Sequence, residues 1–267
     1  MRGWFLPLAV LFGFIFLYAP IISLVVFSFN ESRLVTVWGG FSTRWYGELL
    51  NDRQIRNAAW ISFQVAFASA TLATVIGTLA AFVLTRFSRF TGRLLLTGMI
   101  TAPLVMPEVI TGLSLLLLFV SMELTLGWPA GRGLTTIIIA HTTFCAAFVA
   151  VIAQSRLRSM DESLEEAARD LGAGSVRVFF DITLPVIAPA LVAGWLLAFT
   201  LSLDDLVIAS FVAGPGASTL PMVIFSKVRL GVSPDVNALA TIIIGIVLLA
   251  VLIAGWMMRR TLRNQGN

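Results

Sequence analysis

Long apolar runs separated by short polar segments dominate the chain. Six runs stand out, at about 4–29, 58–85, 94–121, 134–153, 186–213 and 237–258. Each can cross a bilayer as a helix, which takes roughly 20 mostly apolar residues. The pattern predicts an all-α membrane protein with six transmembrane helices. No internal repeat or separate soluble segment shows, so one membrane domain is expected over 1–267. The first run is longer than the apolar core of a signal peptide, and no small-x-small cleavage site follows it. It therefore reads as a retained span.

The third and fifth runs exceed what a perpendicular span needs, so they must tilt, break or protrude. Pro103 and Pro107 lie in the third. Each removes a backbone donor and opposes a straight helix, which predicts a break near 103–107. Broken backbone at membrane depth is tolerated only where it is buried in protein or faces a cavity.

The polar segments orient the spans, because arginine concentrates on the cytoplasmic side. With the N-terminus inside, the inner set is Arg2, then Arg86, Arg89 and Arg93, then Arg156, Arg158, Arg169 and Arg177, then Arg259, Arg260 and Arg263. The outer set is smaller: Arg33, Arg44, Arg53, Arg56, Arg132, Lys227 and Arg229. Both termini then lie in the cytoplasm. In the outer segment 30–57, Trp45 to Leu50 read as a short amphipathic helix at the membrane surface, where Trp and Tyr collect. The outer segment 214–236 opens on Gly214-Pro215-Gly216, a turn signal.

Composition agrees with the bilayer as solvent. The chain is 58% hydrophobic and 12% charged, against about 25% charged in soluble domains. The net charge of +4 could point to nucleic acid, but Lys227 is the sole lysine and the arginines are scattered between apolar runs. Membrane lipid is the expected environment, and no nucleic-acid partner is expected. Cys145 and His141 are each the only residue of their kind, which removes an intrachain disulfide and a Cys or His metal cluster. Both lie in an apolar run and read as packing.

The loop at 154–185 is too long and too patterned for a plain connector. It gathers Asp161, Glu162, Glu165, Glu166, Asp170 and Asp181. A first short helix is expected from near Asp161, with Ser159 or Asp161 as N-cap, through Leu171. Acidic residues in its first turns suit the helix dipole. Leu164, Ala167, Ala168 and Leu171 make one apolar stripe, and Gly172 follows where a positive φ is wanted. A second helix is expected from about Ser175 to Thr183, stopping at Pro185. The stripe suits docking, though an amphipathic connector lying on lipid shows the same period.

Glu166-Ala167-Ala168, then Gly172, then Ile182-x-Leu184-Pro185 at its fixed spacing resembles the EAA signature of ABC-importer permeases at every defined position. The resemblance implies a type I ABC importer permease fold with cytoplasmic coupling helices, in a bacterial inner membrane. It implies that Glu166, Ala167, Ala168 and Gly172 belong to a surface that docks an ATPase, and Glu165, Asp170, Leu184 and Pro185 are expected to share it. The chain itself holds no G-x-x-x-x-G-K-[ST] phosphate loop and no nucleophile–base pair, so a non-catalytic subunit is expected. Any ATP and Mg would be bound by the partner ATPase, with no cofactor on this chain.

Three acidic residues fall inside apolar runs, where a charge costs at least about 2.5 kcal/mol near the centre of a span. Glu108 lies roughly 21 Å along the third run from Leu94 at about 1.5 Å per residue. Asp204 and Asp205 lie in the outer half of the fifth run, about 100° apart if helical, so that one would face a path. No lysine or arginine sits in the predicted interior to neutralise them. They read as a cation path. The bland alternatives are a cap on a half-helix for Glu108 and hydration at the outer interface for the aspartates.

The stretches 42–50, 102–119 and 196–222 are also similar to permeases of the polyamine importers, the putrescine and spermidine group. That resemblance implies a polyamine cargo, most readily putrescine. It also implies a homologous second permease, two ATP-binding subunits and a periplasmic polyamine-binding protein. An ABC importer of another solute, an ion-driven secondary transporter and a membrane scaffold remain as alternatives at this point, the patterned loop speaking against the last.

Overall fold

The computed structural model describes residues 5–33, 37–87, 89–231 and 234–265. Its elements are helical: α1 (Phe5–Phe27), α2 (Arg44–Asn51), α3 (Arg53–Arg86), α4 (Arg93–Val105), α5 (Glu108–Leu126), α6 (Leu134–Ser159), α7 (Ser163–Asp170), α8 (Ser175–Val178), a π turn (Phe179–Thr183), α9 (Leu184–Asp204), α10 (Val207–Val212), α11 (Leu220–Leu230) and α12 (Pro234–Gln265). Among the described residues the sole β pairing is an isolated bridge between Asn30 and Phe41. Five helical stretches are long and apolar enough to cross a membrane, at 6–27, 53–86, 108–126, 134–159 and 175–204. Shorter apolar helices cover 93–105 and 234–249.

All six expected runs are helical, with two refinements. The third is split, as the prolines predicted, and the break falls at Met106-Pro107. Pro103 stays inside α4. The fifth is split too, which the sequence reading did not anticipate. α9 ends at Asp204, and Asp205 leaves the helix with φ −65° and ψ 125°. The outer segment 214–236, expected as a loop opening on a turn, also contains the helix α11. Of the arginines used for orientation, Arg2 lies outside the described residues, and for Arg259, Arg260 and Arg263 only the helical backbone is described.

The chain divides into two compact units. The first joins 1–56 to 224–267. Within it α12 packs on α1 and α2. The amphipathic expectation for α2 holds, since Trp45 and Leu49, one turn apart, are buried. Trp45 donates its indole N–H to the Asn30 carbonyl at 2.6 Å, so this large side chain buries its ring without orphaning its donor. Lys227 Nζ holds Asp52 at 3.0 Å and Asp235 at 2.8 Å.

The second unit is 57–223, and α6 is its axis. Within the apolar window of α6, 61% of residues are buried, against none for α1. Around it α3, α5, α9 and α10 supply Val65, Ala70, Ala73, Phe119, Ala198, Ile208, Ala209 and Val212 to one core. The contacts run through small residues. Lipid tails are as apolar as leucine, so membrane helices associate by close van der Waals fit rather than by hydrophobic exclusion. Gly77 shows how close: a Cβ there would meet the Ala146 carbonyl oxygen at 2.8 Å.

Candidate functional site: docking loop and intramembrane acids

The loop forms the expected helix–turn–helix, with two corrections. The N-cap is Glu162 rather than Ser159 or Asp161: α7 starts at Ser163, and Asp161, one residue before the cap, accepts the Ser163 N–H at 3.0 Å. The Ser163 N–H and hydroxyl together hold the exposed Asp161 carboxyl below its usual pKa. α7 ends in a Schellman motif. The Ala173 N–H reaches the Ala168 carbonyl at 3.0 Å and the Gly172 N–H reaches Arg169 at 2.8 Å. Gly172 carries φ +86°, the left-handed geometry this closure requires. The second correction concerns Pro185, expected to end the second helix. α8 instead runs through the π turn into α9, and Pro185 sits in the first turn of α9. The Leu184 N–H bonds to Phe179, five residues back. A widened turn of this kind relieves the ladder where Pro185 can supply no donor.

The acidic residues of α7 divide by environment. Glu166 and Asp170 are exposed beside Ala167, while Glu165 is buried. Glu165 Oε2 lies 3.0 Å from Arg86 Nε at the end of α3. Glu165 Oε1 accepts the Thr183 hydroxyl at 2.7 Å in the π turn. Arg86 also reaches Glu162 at 2.9 Å, and Arg169 approaches Glu165 at 3.5 Å. Glu165, grouped with the docking surface in the sequence reading, is thus its anchor. One carboxylate ties α7 to both α3 and the start of α9. Arg86 entered the sequence reading only as a topology signal, and nothing in the sequence paired it with Glu165.

With Glu165 turned inward, the loop exposes large apolar side chains among its charged ones. Leu171 is 89% exposed, Val176 73%, Phe180 58% and Leu164 48%. Ala168, Leu171, Gly172, Ala173, Arg177 and Asp181 line a groove of about 310 Å³. Leu184 is half-buried and Pro185 exposed. An uncovered apolar surface on a rigid, well-anchored helix pair is what a docking site requires.

Each of the three intramembrane acids stands at a helix break. Glu108 is the first residue of α5, directly after Pro107, and is exposed. There it also favours the positive end of the helix dipole. Asp204 is the last residue of α9 and is exposed. Asp205 lies in the gap before α10 with a side chain only 7% exposed. It accepts the N–H groups of Ile208 at 3.3 Å and Ala209 at 2.8 Å, and so caps α10. The two aspartates therefore do not share one helix 100° apart. They are separated by the break, one facing out and one facing in.

Asp205 also has a neighbour that sequence reasoning missed. His141 Nε2 on α6 lies 3.1 Å from Asp205 Oδ2, off the line of a straight hydrogen bond. Its Nδ1 lies 2.7 Å from Ser202 Oγ. Reading His141 as packing was incomplete: it is buried, and it is bonded. The available signal was that the sole histidine and an aspartate both lie inside apolar runs, where ionisable groups pair with one another. Among the described residues no group of three His, Cys, Asp or Glu could hold a metal ion.

The described residues form an all-helical fold with an anchored loop and acids at helix breaks, the arrangement of a membrane transport subunit. The family described as "Binding-protein-dependent transport system inner membrane component" matches residues 73–264, and the chain belongs to it. The putrescine transport system permease protein PotI of Escherichia coli strain K12 is 62% identical over 250 residues, 94% of this chain and 89% of that protein. The spermidine/putrescine transport system permease protein PotC of the same strain is 42% identical over 267 residues, 100% of this chain and 96% of that protein. A solved bacterial ABC transporter involved in the import of the acidic polysaccharide alginate aligns over 97% of this chain and 96% of its own, with a TM-score of 0.73 and 20% identity. That likeness is one of fold, and the fold is the type I importer permease fold.

Proposed function

We propose that this permease subunit carries a polyamine, putrescine above all, from the periplasm to the cytoplasm of an ATP-driven importer. The observation that carries the cargo is the exposure of two carboxylates, Glu108 and Asp204, at breaks in otherwise apolar helices. Uncompensated carboxylates at membrane depth are worth their cost where they meet a cation. The 62% identity to PotI supports the same reading. Asp205 serves the path from behind, through its cap on α10.

The drive comes from outside the chain. Two ATPase subunits, which bind the ATP and Mg, seat the apolar face of α7 and α8, with Glu166, Ala167, Ala168, Asp170 and Gly172 at or beside the contact. Glu165 transmits from within, while Leu184 and Pro185 carry the movement into α9. A homologous second permease completes the path, and a periplasmic polyamine-binding protein delivers the cargo. The loop and both termini lie on the cytoplasmic side of the inner membrane. Closure of the ATPase pair on ATP moves the docked loops, and the path opens alternately to the two sides.

Reconstitution with these partners in vesicles tests the proposal. Putrescine-loaded binding protein should stimulate ATP hydrolysis and uptake. Glu108→Gln and Asp204→Asn should each lower uptake about tenfold, the scale of one lost charge-assisted contact. Full uptake in both variants would overturn the cation path. Uptake that follows a proton gradient and ignores ATP would overturn the importer.

A further inference from the structure

The sole histidine lies in the second unit, where it touches the last turn of α9 and the break that follows it. Ser202, bonded to Nδ1 at 2.7 Å, belongs to the last turn of α9. Asp205, 3.1 Å from Nε2, lies beyond the end of that helix. The ring itself is 1% exposed and is carried by α6, the most buried helix of the unit. The chain of contacts continues from Ser202 Oγ to Ser69 Oγ on α3 at 3.2 Å, and Ser69 donates to the Val65 carbonyl. One imidazole therefore joins α6 to the last turn of α9 and to the residue in the break that caps α10, with α3 behind.

A break in a membrane helix needs fixing. The local cap from Asp205 to Ile208 and Ala209 satisfies two donors of α10, but it moves with the chain that carries it. It cannot by itself say where α9 ends relative to its neighbours. A partner on a second helix can. The exposed Asp204 immediately precedes the braced residue, so whatever holds Asp205 also places Asp204. Cys145 lies on α6 one turn on from His141. It is buried, and its thiol lies 3.5 Å from the Ala198 carbonyl of α9.

We propose that His141 is a positioning residue for transport: its imidazole braces the break between α9 and α10 and so fixes where Asp204 stands in the path. This rests on the cation-path reading above and names the group that holds the path residue in place. The ionisable group shown against the ring is Asp205, and Cys145 lies one turn on along α6. Asp204 faces away.

The test uses the complete transporter in vesicles and two readouts. The first is putrescine taken up per ATP hydrolysed, with stimulation by loaded binding protein measured separately. The second is modification of Cys145, the only cysteine of the chain, by a membrane-permeant maleimide, followed by mass spectrometry of this subunit. His141→Leu should lower uptake per ATP about tenfold with binding-protein stimulation retained, and should speed Cys145 modification. His141→Gln, which keeps a nitrogen toward Asp205, should recover most of both. Asp205→Asn should resemble His141→Leu, and the double variant should be no worse than either. Asp204→Asn should lower uptake with Cys145 modification unchanged. If only that last variant is silent, the cation path fails and the brace stands as a structural one. Wild-type coupling and wild-type Cys145 modification in His141→Leu overturn the brace itself. So does a loss of binding-protein stimulation that His141→Gln does not rescue, which marks a folding defect.

Discussion

Replacing Glu165 by alanine removes the anchor of the docking loop without touching its outer face. The Glu165 side chain is 3% exposed and that of Arg86 9%, so the pair is shielded from solvent. Removing one partner of a buried pair costs about 3–5 kcal/mol, because the other is left uncompensated. Arg86 keeps Glu162 at 2.9 Å, a partner whose side chain is 69% exposed, which puts the loss near the lower end of that range. The lost Thr183 bond at 2.7 Å acts in the same direction. A local destabilisation of about 3 kcal/mol raises the open fraction of α7 roughly 150-fold. Hydrogen exchange of the 163–171 amides in the purified complex reads this directly. Glu165→Gln retains an acceptor for Thr183 and should show a smaller increase. ATP hydrolysis should lose its response to loaded binding protein in the alanine variant, because a loosened helix transmits less. Exchange of 163–171 within about twofold of wild type would refute the assignment of Glu165 as anchor.

Three further outcomes are expected. Gly172→Val should destabilise the end of α7 by at least about 1 kcal/mol, since φ +86° costs an L-residue about that much and a β-branched one more; exchange of Leu171 and Ala173 amides checks it. Gly77→Val should lower the yield of folded protein, because even a Cβ would meet the Ala146 carbonyl at 2.8 Å and Val149 Cβ at 2.9 Å; size-exclusion in detergent reads it. The clasp of Lys227 on Asp52 should give a pH window. Burial works to raise the Asp52 pKa, but the Lys227 bond and the Ile55 and Gln54 N–H groups outweigh it and hold it below its ordinary 3.8. Burial likewise works to lower Lys227, and Asp235 and Asp52 outweigh it, leaving it above 10.5. The Asp52 contribution is present above its unfolded pKa and lost as pH falls through the lowered folded value. The Lys227 contribution is full below 10.5 and lost as pH rises through the raised one. The stability gap between wild type and Lys227→Met should therefore be widest at neutral pH and close at both extremes.

Apolar periodicity made the helices legible, because a bilayer leaves a spanning chain almost no choice but helix. The break at Met106-Pro107 was legible because proline announces itself. The break at Asp205-Leu206 was not, because nothing in Leu203-Asp204-Asp205-Leu206 forbids a helix. It exists because Asp205 finds the N–H groups of α10 on one side and His141 on the other, and the second partner comes from a distant part of the chain. The same holds for Glu165 and Glu166. Adjacent and chemically alike, they differ only in which way the helix turns them and in whether Arg86 is there to receive them. The helix carrying the stripe Leu164, Ala167, Ala168 and Leu171 was local in sequence, so spacing alone predicted it.

The π turn has a mechanical consequence. Because the chain does not stop at Pro185, residues 175–204 form one helical stretch, roughly 45 Å long at 1.5 Å per residue. Its irregular steps, the π turn and Pro189, gather near the end that begins at Ser175. The remainder can swing as a lever with its fulcrum close to the applied force. A tilt of about 5° at the π turn sweeps the far tip, where Asp204 sits roughly 32 Å away, through nearly 3 Å. That is about the length of one ammonium–carboxylate hydrogen bond, produced at the far tip by a small movement at the start of the helix.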